Sequence, residues 1–180
     1  MHIFYLIGYM AAGKTTAGKL AADTLGWRFA DLDQAFQVIH GYTPAEYIRA
    51  NGIEAFRKKE KYVLEDLADM GIEKVIYATG GGYPCWEDNM ACLHELGTSI
   101  YLRWKAEDLA SRLMLTNLSE RPILQGKTKE ELLAFIKPQL EAREAYYLQA
   151  DYIIDAPGFV PEADQILAEQ ICQLIKSKTK

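Results

Sequence analysis

Cysteine is scarce in this chain of 180 residues. Cys85, Cys92 and Cys172 are odd in number and loosely spaced, which argues against a disulfide framework and against a zinc site. Histidine is as sparse, and His2, His40 and His94 are too scattered in sequence to form a metal cluster. Positive charge is not in excess. Lys and Arg number 20 against 25 Asp and Glu, a net charge of -5, and that balance gives no support for a general nucleic-acid binder, which would carry a basic face. No apolar run approaches the roughly 20 residues of a membrane-spanning helix. The opening MHIFYLIGYMAAGKTT is apolar for only a short stretch before Gly8 and lacks the charged start and cleavage site of a secretory signal. The expectation is a cytoplasmic chain in a reducing compartment, a monomer that binds neither nucleic acid nor membrane. Any anion it takes must be met by local, directed positive groups.

The 49% hydrophobic content and 25% charged content fit one globular domain over residues 1–180. Strands are expected at His2–Ile7, Arg28–Leu32, Lys74–Ala78, Thr98–Leu102 and Asp151–Ile154. Helical spacing runs over Thr15–Leu25, with Leu20, Ala21 and Leu25 on one side and Gly26 ending it. Thr43-Pro44-Ala45-Glu46 reads as a helix start, with a threonine cap, a proline at the first position and a glutamate at the third. Asn51-Gly52 ends that helix. Further helices are expected at Glu54–Met70, Glu87–Leu96, Ala106–Leu115, Lys129–Leu148, which contains Pro138, and Pro161–Lys176. Strands alternating with helices imply an α/β fold with a five-stranded parallel sheet covered on both faces. There is no internal repeat, low-complexity tract or domain linker.

Gly8-Tyr9-Met10-Ala11-Ala12-Gly13-Lys14-Thr15 fits the phosphate-loop pattern G-x-x-x-x-G-K-[ST], between an expected strand and an expected helix. Its glycines let backbone N–H groups converge on phosphate oxygens, and the helix N-terminus adds a favourable dipole. Lys14 would reach the β- and γ-phosphates, and Thr15 would offer a hydroxyl to Mg²⁺. The bland alternative is a glycine turn that only joins strand to helix. No N-K-x-D guanine-reading motif occurs, and the third strand ends in Ala78-Thr79-Gly80 without a carboxylate. The carboxylates within reach are Asp31 and Asp33. One could hold the metal through water while the other faces an acceptor hydroxyl, or the pair could be a solvated turn with a helix cap.

Arg57 and Glu60 are three apart on a helix, so they share a face. Glu60 could steady the guanidinium for a bidentate grip on a carboxylate, although taken alone the pair reads as a surface ion pair. Gly80-Gly81-Gly82 costs conformational entropy and suits a ligand passing close to the backbone. The polar stretch Thr116–Lys127, with Pro122 and Gly126, reads as a loop, and Pro122 restricts Arg121. Each of these arginines, Arg143 included, reads singly as a solvated side chain.

Taken together, G-Y-M-A-A-G-K-T, D-L-D, F-R-K-K-E, T-G-G-G, E-R-P-I-L and R-E-A-Y-Y resemble, in order and spacing, the shikimate kinase family over about Ile3 to Ile154. The resemblance implies a P-loop NTPase fold of the nucleoside monophosphate kinase type. It also implies phosphoryl transfer from ATP with Mg²⁺ to the 3-hydroxyl of shikimate, in the aromatic amino-acid (chorismate) pathway. By it, Asp33 contacts the accepting hydroxyl and acts with Lys14 and Arg121 as the catalytic group. Gly8, Ala11, Ala12, Gly13, Lys14, Thr15 and Thr16 bind nucleotide, with Arg112 against adenine and Arg121 reaching the phosphates from a mobile lid at 116–127. Arg57 and Arg143 bind the shikimate carboxylate, and Gly80, Gly81 and Gly82 pass along the substrate. Thr15 and, through water, Asp31 hold Mg²⁺.

The chain departs from the family where small or aliphatic residues often follow the glycines, carrying Tyr83-Pro84-Cys85-Trp86 instead. Two other readings stay open from the residues alone: a P-loop kinase for another small hydroxy acid or sugar acid, and a nucleotide-binding sensor without catalysis. Against the sensor stands the retention of Lys14, Thr15 and Asp33.

Overall fold

Parallel strands in the order β2-β3-β1-β4-β5 make a five-stranded sheet. They are β1 (His2–Ile7), β2 (Arg28–Asp31), β3 (Lys74–Ala78), β4 (Thr98–Arg103) and β5 (Tyr152–Asp155). The structure is a computed structural model and describes residues 2–116 and 124–179. Arg121 and most of the expected lid therefore lie outside the described residues.

Strand β1 is apolar along both faces because it is covered on both. Phe4 and Leu6 point into one core, and Ile3, Tyr5 and Ile7 point into the other. The first core is closed by α1 (Lys14–Leu25), α6 (Ala106–Met114), α7 (Lys129–Tyr147) and α8 (Ala163–Lys178). The second is closed by α2 (Leu32–His40), α4 (Ile53–Asp69) and α5 (Asn89–Leu96). Short α3 (Pro44–Asn51) packs on α4.

The strands at His2–Ile7 and Lys74–Ala78 fall where the sequence places them. Thr43 and Glu46 form the expected capping box on α3 with Pro44 inside the first turn, and Thr128 with Glu131 forms a second on α7. Two expectations are corrected. Leu32 begins a helix rather than ending a strand. The inner face of α1 is Ala17, Gly18, Ala21 and Ala22, with Leu20 turned outward. Small residues are needed there, since a Cβ at Gly18 would stand 2.7 Å from Leu6 and 2.8 Å from Phe29. Helix α7 runs unbroken through Pro138.

This topology also fixes where a ligand can sit. The chain leaving β1 turns toward β2, whereas the chain leaving β4 turns toward β5 on the opposite side. A crevice therefore opens at the C-terminal edge of the sheet beside β1, where open parallel sheets bind their ligands.

Candidate active site

The loop from Gly8 to Gly13 leaves β1 and wraps the N-terminus of α1. Gly8 and Gly13 take positive φ values of 140° and 83°. Ala11 also does, at 61°, a strained setting for a residue with a side chain and one typical of ligand-binding turns. Lys14 is buried, and its Nζ donates to the carbonyls of Gly8 at 2.7 Å and Tyr9 at 2.9 Å. The ammonium is thus folded across the loop, where a phosphate drawn in by the α1 N-terminus would meet it.

Beneath the loop, Trp104 donates its indole N–H to the Ala12 carbonyl at 3.0 Å, and the Arg112 guanidinium stacks 4.6 Å above the Trp104 ring. Arg112 also donates to the Ala11 carbonyl at 2.7 Å and to Asp164 of α8 at 2.6 Å. Arg112 is therefore anchored rather than free to swing, and it lines a cavity of about 620 Å³. The same cavity takes in Lys14, Thr15, Thr16, Asp31, Asp33 and Gly81, and is walled on the far side by Phe159, Val160 and Pro161.

Asp31 does two jobs. One oxygen caps α2, accepting from the backbone N–H of Asp33 at 2.9 Å and of Gln34 at 3.3 Å. The other accepts from the Thr15 hydroxyl at 2.5 Å. The helix-cap reading and the metal reading of Asp31 are thus compatible. A hydroxyl beside a carboxylate is an all-oxygen donor pair, which suits Mg²⁺, an ion that keeps several of its own waters. Among the described residues no group of three His, Cys, Asp or Glu gathers to hold a metal by itself. Asp33, in the first turn of α2, faces the same cavity.

Gly80, Gly81 and Gly82 follow β3 and join the two halves of the site. A Cβ at Gly81 would stand 3.2 Å from the Met10 N and 3.3 Å from the Gly8 O, so this glycine lies against the phosphate loop. A Cβ at Gly80 would stand 2.5 Å from Glu60 Oε1 and 3.2 Å from Asp33 Oδ1, and one at Gly82 would overlap the Arg57 guanidinium. A Cβ at either end of the run would meet Asp33, Glu60 or Arg57, so the run lies close against these side chains. Tyr147, fully buried at the end of α7, donates its hydroxyl to the Gly81 carbonyl and pins the run from the other side.

Arg57 and Glu60 are not a surface pair. Glu60 is 1% exposed, and Arg57 is largely covered and hydrogen-bonded to it. Burial pushes the Glu60 carboxyl up to about 7 against the pull of Arg57, and the nearby Asp33 charge adds to the rise. Among the described residues Glu60 Oε1 has no hydrogen-bond partner. Arg143 is half-buried rather than solvated, donating to Gln139 at 3.2 Å with its guanidinium 5.3 Å from the Tyr9 ring. The charges of Arg143 and Arg57 both act on the half-buried Cys85 thiol, offsetting in part the upward push of its burial. Two arginines from α4 and α7 thus converge beside the glycine run.

The match to a shikimate kinase family model covers residues 10–176. The chain belongs to the shikimate kinase family. A shikimate kinase from Parabacteroides distasonis is 41% identical over 160 residues, 89% of this chain and 91% of the relative. One from Persephonella marina is 36% identical over 161 residues, 89% and 93% of the two chains. The crystal structure of the Bacteroides thetaiotaomicron shikimate kinase superposes with a TM-score of 0.88 at 34% identity, covering 97% of this chain and 98% of that one. The Acinetobacter baumannii shikimate kinase, solved in complex with shikimate, gives a TM-score of 0.82 at 32% identity, covering 99% and 94%. The P-loop NTPase-like fold read from the sequence is that of these relatives.

Sequence reasoning missed several residues of this shikimate kinase site. Asp164 and Phe159–Pro161 line the cavity and Trp104 donates to Ala12 of the phosphate loop, but none of them carries a local motif. Glu60, read only as a partner of Arg57 or half of a surface pair, did carry a signal for burial: it falls on the stripe Phe56, Glu60, Val63, Leu64 and Leu67, the buried face of α4, and a carboxylate on an apolar stripe marks a buried role. Among the described residues no helix is long and apolar enough to cross a membrane.

Proposed function

We propose that this chain transfers the γ-phosphoryl group of ATP to the 3-hydroxyl of shikimate, in the route to chorismate and the aromatic amino acids. The observation that carries the reading is the glycine run. Gly81 touches the phosphate loop while Gly80 and Gly82 touch Asp33, Glu60 and Arg57, so donor and acceptor sites share one wall.

In this reading the backbone N–H groups of Gly8–Gly13, with Lys14, Thr15 and Thr16, hold the phosphates, and Arg112 with Pro161 flanks the base. Bound Mg²⁺ supplies charge neutralisation on the phosphate oxygens, and Thr15 and Asp31 are the residues that would hold it. Arg57 and Arg143 grip the substrate carboxylate, which neutral sugars lack. Asp33 stands by the accepting hydroxyl. As that oxygen bonds to the γ-phosphorus, the bond to the leaving β-phosphate oxygen breaks and the hydroxyl proton passes to the Asp33 carboxylate. Positioning and preorganised charge supply most of the acceleration. Arg121, from the 116–127 lid, would add a cation when the site closes.

The same proposal has the chain working as a cytoplasmic monomer. Three unpaired thiols suit a reducing compartment, and size-exclusion chromatography tests the monomer. The reaction is tested by coupled ADP release over a panel of small hydroxy acids and sugar acids. ADP release dependent on shikimate supports the assignment. A response to another acceptor but not to shikimate overturns it.

A further inference from the structure

We propose that Gln139 is a positioning residue for Arg143, locking the carboxylate-binding arginine to the phosphate loop through Tyr9. Gln139 and Arg143 stand four apart on α7, one turn of helix, so their side chains meet. The Gln139 Oε1 accepts from Arg143 at 3.2 Å and from the Tyr9 hydroxyl at 3.2 Å. A guanidinium can only donate, so the amide must present its oxygen there, which settles its orientation. The Tyr9 ring lies 5.3 Å from the Arg143 guanidinium carbon, within the range of a cation–π contact. Tyr9 is 1% exposed, and its own carbonyl accepts from Lys14 at 2.9 Å. One residue of the phosphate loop is therefore tied at its backbone to the phosphate-binding lysine, and to the substrate-binding arginine directly at its ring and through Gln139 at its hydroxyl.

The consequence is preorganisation. An arginine side chain loses considerable rotamer freedom when it is fixed. Here the ring below and the amide oxygen beside it fix Arg143 before substrate arrives. The inference rests on the reading that Arg143 binds the substrate carboxylate.

Gln139→Leu removes the shared acceptor at similar size, and Tyr9→Phe removes one of its two donors while keeping the ring. For Gln139→Leu the KM for shikimate should rise about three- to tenfold, the worth of one hydrogen bond, with kcat and the KM for ATP little changed. Because the loss falls on carboxylate recognition, the affinity preference for shikimate over its methyl ester, measured by competition titration, should shrink by the same factor. Tyr9→Phe should act in the same direction, and the double variant should cost less than the sum of the two, since both act through one oxygen. An unaltered preference for the acid over the ester in Gln139→Leu, or equal rises in KM for shikimate and ATP, overturns the positioning role. Arg143→Lys separates the two claims. If it raises the KM for shikimate while Gln139→Leu does not, the carboxylate reading stands and this inference falls. If Arg143→Lys leaves shikimate binding unchanged, the carboxylate reading falls and takes the inference with it.

Discussion

Gly82→Ala separates substrate binding from folding more cleanly than any change to a charged residue. Gly82 has φ -102° and ψ -5°, a conformation open to alanine, so the backbone bears no strain from the substitution. The cost lies in the added methyl, which would overlap the Arg57 guanidinium and stand 3.0 Å from its central carbon. That group is the far end of a flexible side chain. It can swing away while the protein folds, but it then leaves both Glu60 and the substrate. Hydrogen bonds to charged groups contribute about 1.5–3 kcal/mol, so the KM for shikimate should rise roughly 10- to 150-fold. The KM for ATP should stay near its starting value, because the nearest neighbours of the methyl all belong to Arg57. Steady-state kinetics with coupled ADP detection, varying each substrate in turn, reads both constants, and a melting curve confirms the fold. A near-normal KM for shikimate, or equal rises in both constants, would refute the placement of Arg57 against the acceptor.

Three further outcomes are expected, the first two from the geometry of the site and the third from the lid reading of the sequence. Asp33→Asn keeps the size of the side chain but cannot take the hydroxyl proton, so kcat should fall roughly 10²- to 10⁴-fold with ATP binding intact; a near-normal kcat would reduce Asp33 to a structural residue. For Glu60, burial raises the folded carboxyl from its ordinary value of 4.5 to about 7, so the stability tied to its protonated form is complete below 4.5 and is lost as pH rises through about 7. The melting temperature of Glu60→Gln relative to the unmodified chain should therefore climb between about pH 5 and about pH 8, and a pH-independent difference contradicts the buried carboxyl. Arg121→Ala should lower kcat more than it weakens shikimate binding, and hydrogen exchange across Thr116–Lys127 should slow when a non-hydrolysable ATP analogue and shikimate bind together. Unchanged exchange with a normal kcat would remove the lid from the mechanism.

Features with a local physical cause were legible in the sequence. The phosphate loop is a contiguous pattern, and the runs that became β1 and β3 are apolar because both faces of the sheet are covered. The capping box on α3 sits in consecutive residues. What could not be read was set by topology. Trp104 at the end of β4 and Asp164 on α8 reach Ala12 and Arg112 only because β4 lies beside β1 and α8 packs on α1. Helix α2 escaped notice although Leu32, Ala35, Phe36 and Ile39 recur at helical spacing; attention fell on Asp31 and Asp33 at its start. Arg57 and Glu60 were legible as a pair but not as a buried one, since two charged residues three apart describe a surface helix equally well. Only the neighbouring Phe56, Val63, Leu64 and Leu67 show which way that face points.

The most direct test of phosphoryl transfer to shikimate is the product itself. The purified protein is incubated with MgATP and shikimate, and the organic acid is followed by mass spectrometry and ³¹P NMR. The account predicts stoichiometric loss of shikimate, gain of one phosphoryl group per molecule, and a phosphate-monoester signal coupled to the proton at carbon 3. ATP hydrolysed to free phosphate with shikimate recovered unchanged, or the phosphoryl group found on a different hydroxyl, would contradict it.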